Sequence, residues 1–181
     1  MTGGSVRVIL TGDSGCGKTR ACQAVADALR NRGWKVAGVL SLGVWNAGQK
    51  VAIDALDLRS GDVRRLAERP GGEVAAGPAT PGWCFDTVTL DWCNELLEHA
   101  GDADLLVIDE LGPLEFEQSE GLMQGMRAMD AGCFRIGLLV VRLVLLDTAR
   151  ERWPGARVVH LGGLTEQSTR VDEVLALAGP A

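Results

Sequence analysis

A short apolar strand that runs into a glycine-rich turn and then at once into an amphipathic helix constrains this chain more than any other feature. Val6, Val8, Ile9 and Leu10 supply the strand pattern, and Gly12, Asp13, Ser14, Gly15, Cys16, Gly17, Lys18 and Thr19 follow it. The turn fits G-x-x-x-x-G-K-[ST], the spacing of a phosphate-binding loop. Its glycines lack a Cβ, so the backbone takes positive φ and turns its N–H groups inward around an oxyanion. The helix that starts near Lys18 adds unpaired N–H groups and the positive end of its dipole. Lys18 offers a cation to the β- and γ-phosphates of a nucleoside triphosphate, and Thr19 offers a hydroxyl to Mg2+. A glycine-rich turn that matched by chance would need neither the strand before it nor the helix after it.

The loop needs an acidic partner, and Leu105, Leu106, Val107, Ile108, Asp109 and Glu110 provide one. The apolar run reads as a central parallel strand. Asp109, at its carboxyl end, is placed to reach the metal shell opposite Thr19. Glu110 is placed to orient an attacking water or take its proton. Glu115 and Glu117 follow Gly112 and Pro113; they read as surface charges, with lining of the same cleft as the alternative. Arg142 follows the apolar residues 136–141. Either it neutralises a γ-phosphate, or it caps a helix or pairs with a surface acid.

Around these motifs the pattern alternates strand and helix, which predicts an α/β fold with a mainly parallel sheet flanked by helices. Cys22, Val25, Ala26 and Leu29 mark one helix face, and Gly33 ends it. Residues 34–44 and 51–58 read as strands joined by a hairpin at Asn46–Gly48, with a break at 60–62. Residues 69–82, rich in Gly, Pro and Ala, read as a mobile loop or connector. Trp92, Cys93, Leu96, Leu97 and Ala100 predict a helix. Leu122, Met126 and Met129 predict another, ended by Gly132. A strand at 136–141, a helix at 145–153, a strand at 156–161 and a helix through Val171, Val174, Leu175 and Ala178 complete the order.

The chain has 181 residues, which suggests one domain over 1–181. Its net charge of -6 disfavours nucleic acid as a main partner. The five cysteines are odd in number and form no C-x-x-C, so free thiols in a reducing cytoplasm are expected. Cys16 lies at a helix N-terminus, a setting that lowers a thiol pKa; we read it as the occupant of a variable loop position. No segment reads as a targeting peptide or a membrane span.

These residues together resemble the small nucleoside-triphosphatases that include the human cancer-related nucleoside-triphosphatase and its thermophilic counterparts. The likeness rests on the loop and the helix after it, on residues 33–40 and 51–61, and most of all on the block from Asp104 to Glu115. It implies a RecA-like P-loop fold, a three-layer sandwich, and Mg2+-dependent hydrolysis of several nucleoside triphosphates with little base selectivity. Two departures stand out. Arg20 follows Thr19 where the family commonly has a small or polar residue, so a long cation there touches the α-phosphate or reaches solvent. Residues 165–170 replace an Asn-Arg-Asp segment, which leaves no base contact assigned there.

Hydrolysis of ATP, GTP or a related triphosphate is therefore the leading expectation, with Mg2+ as cofactor. One alternative is a nucleotide-dependent regulatory switch. Another is a nucleoside or small-molecule kinase, for which Arg59, Arg64, Arg65 and Arg69 lie in the right part of the chain for a lid. A GTPase of the [NT]-K-x-D type and a dinucleotide-binding Rossmann domain do not fit the residues present.

Overall fold

The computed structural model describes residues 4–71 and 77–179. Among these, the strands are β1 (Val6–Thr11), β2 (Val36–Asn46), β3 (Gln49–Asp57), β4 (Val63–Glu68), β5 (Ala79–Thr80), β6 (Trp83–Phe85), β7 (Leu105–Leu111), β8 (Ile136–Val141) and β9 (Arg157–His160). The helices are α1 (Lys18–Asn31), α2 (Thr87–Glu98), α3 (Pro113–Phe116), α4 (Met123–Ala131), α5 (Leu146–Arg152) and α6 (Gln167–Ala176). All the strands join one sheet in the order β5-β6-β4-β3-β2-β7-β8-β1-β9. From β2 to β9 neighbouring strands are parallel, and from β2 to β5 they are antiparallel.

Helices cover both faces of the sheet, and strand alternation sorts the core into two layers. Val8, Leu10, Leu105 and Val107 pack with Ala21, Cys22, Val25 and Leu29 of α1 and with Val174 of α6. Ile9, Leu106, Ile108 and Leu139 face the other way, toward Leu90, Cys93 and Leu97 of α2 and Met126 and Met129 of α4. Every residue of β8 is buried, as a strand covered on both faces requires. The α2 helix starts at Asp86, whose carboxylate accepts the Thr89 N–H and satisfies one of the free donors of the first turn.

β2 is longer than its parallel partner needs. Only Val36 to Val39 pair with β7, whereas β2 stays paired with β3 as far as Asn46 and Gln49. The hairpin closes through Ala47 (φ 47°) and Gly48 (φ 78°), the positive pair of a two-residue turn. The five residues beyond Ser41 project roughly 17 Å past the carboxyl edge of the parallel strands, at about 3.3 Å each. That edge is where strands of this class deliver ligand-binding side chains.

The expected strands and helices are present with shifted ends, and several elements are additional. The break at 60–62 is real, but the chain returns to the sheet as β4. That strand reads VRRLAE, and only Leu66 and Ala67 are buried, so it carries no apolar period. Of the expected loop 69–82, residues 72–76 lie outside the described residues. The part nearest its end is structured instead, because Thr80 enters the β5–β6 hairpin. Trp83 anchors that hairpin under the side chains of Lys50 and Arg69. The helix expected from 145 starts as a 3-10 turn at Leu143–Leu145 and becomes α5 at Leu146.

Candidate active site

The glycine-rich loop connects the end of β1 to the start of α1, as its sequence requires. Gly17 precedes the helix at φ 99°, a left-handed conformation that a side chain disfavours. Gly12 is excluded from change by space as well: a Cβ there would lie 2.3 Å from the carbonyl oxygen of Leu161. Lys18 folds back over the loop and donates from Nζ to the carbonyls of Gly12 (2.8 Å) and Asp13 (2.7 Å). Its Nζ also lies 3.7 Å from Cys16 Sγ, and that thiol is buried beneath it. Asp13, Ser14 and Gly15 are exposed on the outer side of the loop, and Arg20 projects outward from α1.

Asp109 lies at the carboxyl end of β7 and is almost fully buried. Its carboxylate accepts the Ser41 N–H at 3.1 Å, while the Ser41 hydroxyl donates to its carbonyl, and the Thr19 hydroxyl is near enough to pull its pKa down. Burial raises the carboxyl pKa to about 6 against the pull of those bonds. Burial also pushes the neighbouring Cys22 thiol well above its usual range, and the Asp109 charge adds to that shift. Thr19 and Asp109, far apart in sequence, are therefore brought close together. A hydroxyl beside a buried carboxylate is a hard-oxygen donor pair that fits Mg2+. This ion needs only one or two protein ligands when phosphates and waters complete its shell.

Glu110 points elsewhere. The β7–β8 register slips between Ile108 and Leu111, so both acidic residues sit on an irregularity of the ladder, a device that re-aims side chains beside active sites. Asp109 turns toward α1, and Glu110 turns toward the opposite face, where Arg142 donates its Nε–H to it. Arg142 therefore pairs with an acid of the dyad itself, and it also stands at the N-cap of the 3-10 turn Leu143–Leu145. Glu110 and Arg142 edge a cleft of about 60 Å³ walled by Ser41, Ile53, Trp83, Phe85, Leu90 and Leu122.

Glu115 corrects the surface reading. It is 7% exposed and accepts the N–H groups of Gly112 (2.7 Å) and Leu122 (2.8 Å), so it ties α3 to the approach to α4. Burial raises its pKa above the ordinary carboxyl value. The capping-box spacing from Gly112 to Glu115 was the available signal. Glu117 is exposed. The four candidate lid arginines are dispersed over ordered elements. Arg59 pairs with Asp102, Arg64 lies over Trp92, Arg65 pairs with Asp54 and Glu68, and Arg69 lies over Trp83. Sequence reasoning also missed Lys50, whose ammonium lies 5.4 Å from the centre of the Trp83 ring. Its position across from Trp45 depends on the β2–β3 register, which shifts between Val44 and Trp45.

Known proteins share this architecture. Over 97% of this chain and all of the other, it superposes on THEP1 from Aquifex aeolicus with a TM-score of 0.73 and 16% identity. It superposes on a human cancer-related nucleoside triphosphatase with a TM-score of 0.69 and 22% identity, over 98% of this chain and all of the other. These two likenesses concern the fold. In sequence, the chain is 31% identical to the nucleoside-triphosphatase THEP1 of Methanopyrus kandleri over 171 residues, 92% of this chain and 93% of that one. It is 30% identical to THEP1 of Pyrococcus abyssi over 118 residues, 65% and 64% of the two chains. The profile of a family described as NTPase matches residues 7–143, a span that begins inside β1 and takes in the glycine loop, the acidic dyad and Arg142. By that match, and by a relative aligned over nearly its whole length, the chain belongs to the NTPase family.

Proposed function

We propose that this chain is a Mg2+-dependent nucleoside-triphosphate hydrolase of the RecA-like P-loop kind. In this reading one catalytic domain spans 1–181 and converts NTP and water to NDP and phosphate with little preference for the base. The observation that carries the reading is the convergence of the glycine loop and Asp109 at one end of the parallel sheet, with Asp109 close to Thr19 and Cys22 of α1. The names of the aligned relatives, which specify a triphosphatase but no base, support it further. Five free cysteines suit a reducing cytoplasm.

In this mechanism the loop N–H groups and Lys18 hold the β- and γ-phosphates. For that, Lys18 exchanges its bonds to the Gly12 and Asp13 carbonyls for phosphate oxygens. Thr19 and Asp109 would hold Mg2+, which when bound would supply neutralisation of the triphosphate charge. Glu110 orients a water in line with the γ-phosphorus and takes its proton. The water oxygen forms the new P–O bond, the bond from the γ-phosphorus to the bridging oxygen breaks, and NDP leaves with that electron pair. Arg142 fixes the Glu110 carboxylate in place. Catalysis here is mainly positioning and charge stabilisation.

The test is a panel of ATP, GTP, CTP and UTP with Mg2+, in which binding and phosphate release are both measured and Lys18→Ala serves as control. Comparable release from all four, lost in the control, is the expected result. Tight binding without release would overturn the hydrolase reading and favour a switch.

A further inference from the structure

Lys50 has the position of a working residue, and among the described residues it has an aromatic neighbour but no counter-ion. It lies on β3 opposite Trp45, on the part of the hairpin that overhangs the carboxyl edge of the parallel strands. Its ammonium sits over Trp83, and Trp83 walls the same cleft as Glu110 and Arg142. Among the described residues it makes no ion pair. Its neighbours are otherwise occupied. Arg142 is bound to Glu110, Arg69 donates to the carbonyls of Lys50 and Gly82, and Lys18 is spread over the loop carbonyls.

A half-buried ammonium without a counter-ion is costly. Burial pulls the Lys50 pKa below its ordinary value, and Arg142 and Arg69 act in the same direction. The charges of Glu110 and Asp109 oppose them. Lys50 is therefore close enough to the dyad to feel both carboxylates, yet neither neutralises it. The cleft itself is lined by Arg142, Glu110 and the backbone-bound Glu115, and Lys50 and Arg69 flank it over the Trp83 ring. An ammonium held over Trp83, with no ion pair among the described residues and beside the cleft of Glu110, suits an anion that arrives with the substrate. In phosphoryl transfer, that anion is the γ-phosphoryl group, whose equatorial oxygens carry the charge of the transition state.

We propose that Lys50 is a catalytic residue that contacts the γ-phosphoryl oxygens from the hairpin side and stabilises the charge they carry during transfer to water. The inference rests on the hydrolase reading above. A cation that served only to cover Trp83 would affect folding and leave phosphate chemistry alone.

The experiment compares Lys50→Met, Lys50→Gln and Lys50→Arg with the unchanged chain, all with Mg2+. Turnover of ATP is measured alongside the equilibrium binding of ADP alone and of ADP with aluminium fluoride, a mimic of the transferring phosphoryl group. The expected result is a fall in kcat of about 10²-fold for Met and Gln, the scale of one lost charge-stabilising donor. KM and ADP affinity should stay nearly constant, aluminium-fluoride binding should weaken by a similar factor, and Arg should recover most of both. Unchanged kcat and mimic binding, or a parallel loss of ADP affinity that Arg does not rescue, would overturn the role of Lys50. If the unchanged chain hydrolyses no triphosphate, the hydrolase reading fails on its own, and the mimic-binding comparison still decides Lys50.

Discussion

Arg142, the first residue after β8, donates its Nε–H to Glu110 at the end of β7, so two neighbouring parallel strands clamp one carboxylate between them. The pair is partly exposed, and its worth to folding is small. Under the proposed mechanism its value lies in orientation, because a carboxylate that is to guide a water must not swing.

Glu110→Gln should lower kcat by about 10²–10⁴-fold, the usual contribution of a positioned general base, while nucleotide affinity changes little. Arg142→Ala should also slow turnover. The double variant should be no slower than Glu110→Gln alone, because both changes act through one carboxylate. Single-turnover phosphate release with parallel binding measurements checks this. Additive losses would mean that Arg142 acts on the phosphate independently.

Chelation with EDTA should stop phosphate release, and Mg2+ should restore it. Thr19→Ala should raise the Mg2+ concentration for half-maximal rate by roughly tenfold or more, since even residues behind the metal ligands are worth about 10–100-fold in metal affinity. A magnesium titration of each variant reads this directly. An unchanged half-saturation point would remove Thr19 from the metal shell.

Glu115 links stability to pH. Its folded-state pKa is raised by burial, so in the window above the unfolded value of about 4.3 the native state holds more protons than the unfolded chain. Stability contributed by this group therefore falls as pH rises through that window and is constant below it. Urea midpoints of the unchanged chain and Glu115→Gln, compared at several pH values, should show the unchanged chain losing ground to the variant as pH increases. A gap independent of pH would contradict the assignment.

Gly12→Ala should destabilise the fold by about 1–3 kcal/mol, the range for forcing atoms into occupied space, because the added methyl meets the Leu161 carbonyl at 2.3 Å. The same change disturbs the Leu161 N–H to Thr11 carbonyl bond of 2.8 Å that sits beside the loop. Thermal unfolding monitored by circular dichroism, with nucleotide binding measured below the transition, tests both effects. A stability equal to that of the unchanged chain would show that β9 yields at this point.

The glycine loop and Asp109–Glu110 were legible in the sequence because phosphate and metal chemistry demand fixed residue types at short spacings. The buried faces of α1 and α4 were legible because their period is helical. Lys50 and the Arg142–Glu110 pair were not. Lys50 reaches Trp83 at the cleft wall through antiparallel pairing with a register shift, and Arg142 meets a residue 32 positions away through a parallel neighbour. Strand β4 escaped notice because its two arginines interrupt any apolar alternation. Glu115 was misread because its acidity suggests solvent, whereas its partners are two backbone donors that only the folded turn supplies.

The sheet's outer margins have a consequence for how copies of this molecule behave when crowded. One margin is β5, with two residues, and the other is β9, with four, of which Arg157, Val158 and His160 are exposed. An unpaired border can template growth only if it is long and flat enough to recruit a foreign strand. A wide sheet that tapers to such short, partly charged borders offers little seam for polymerisation, so the molecule gains a broad interior without inviting aggregation through its flanks.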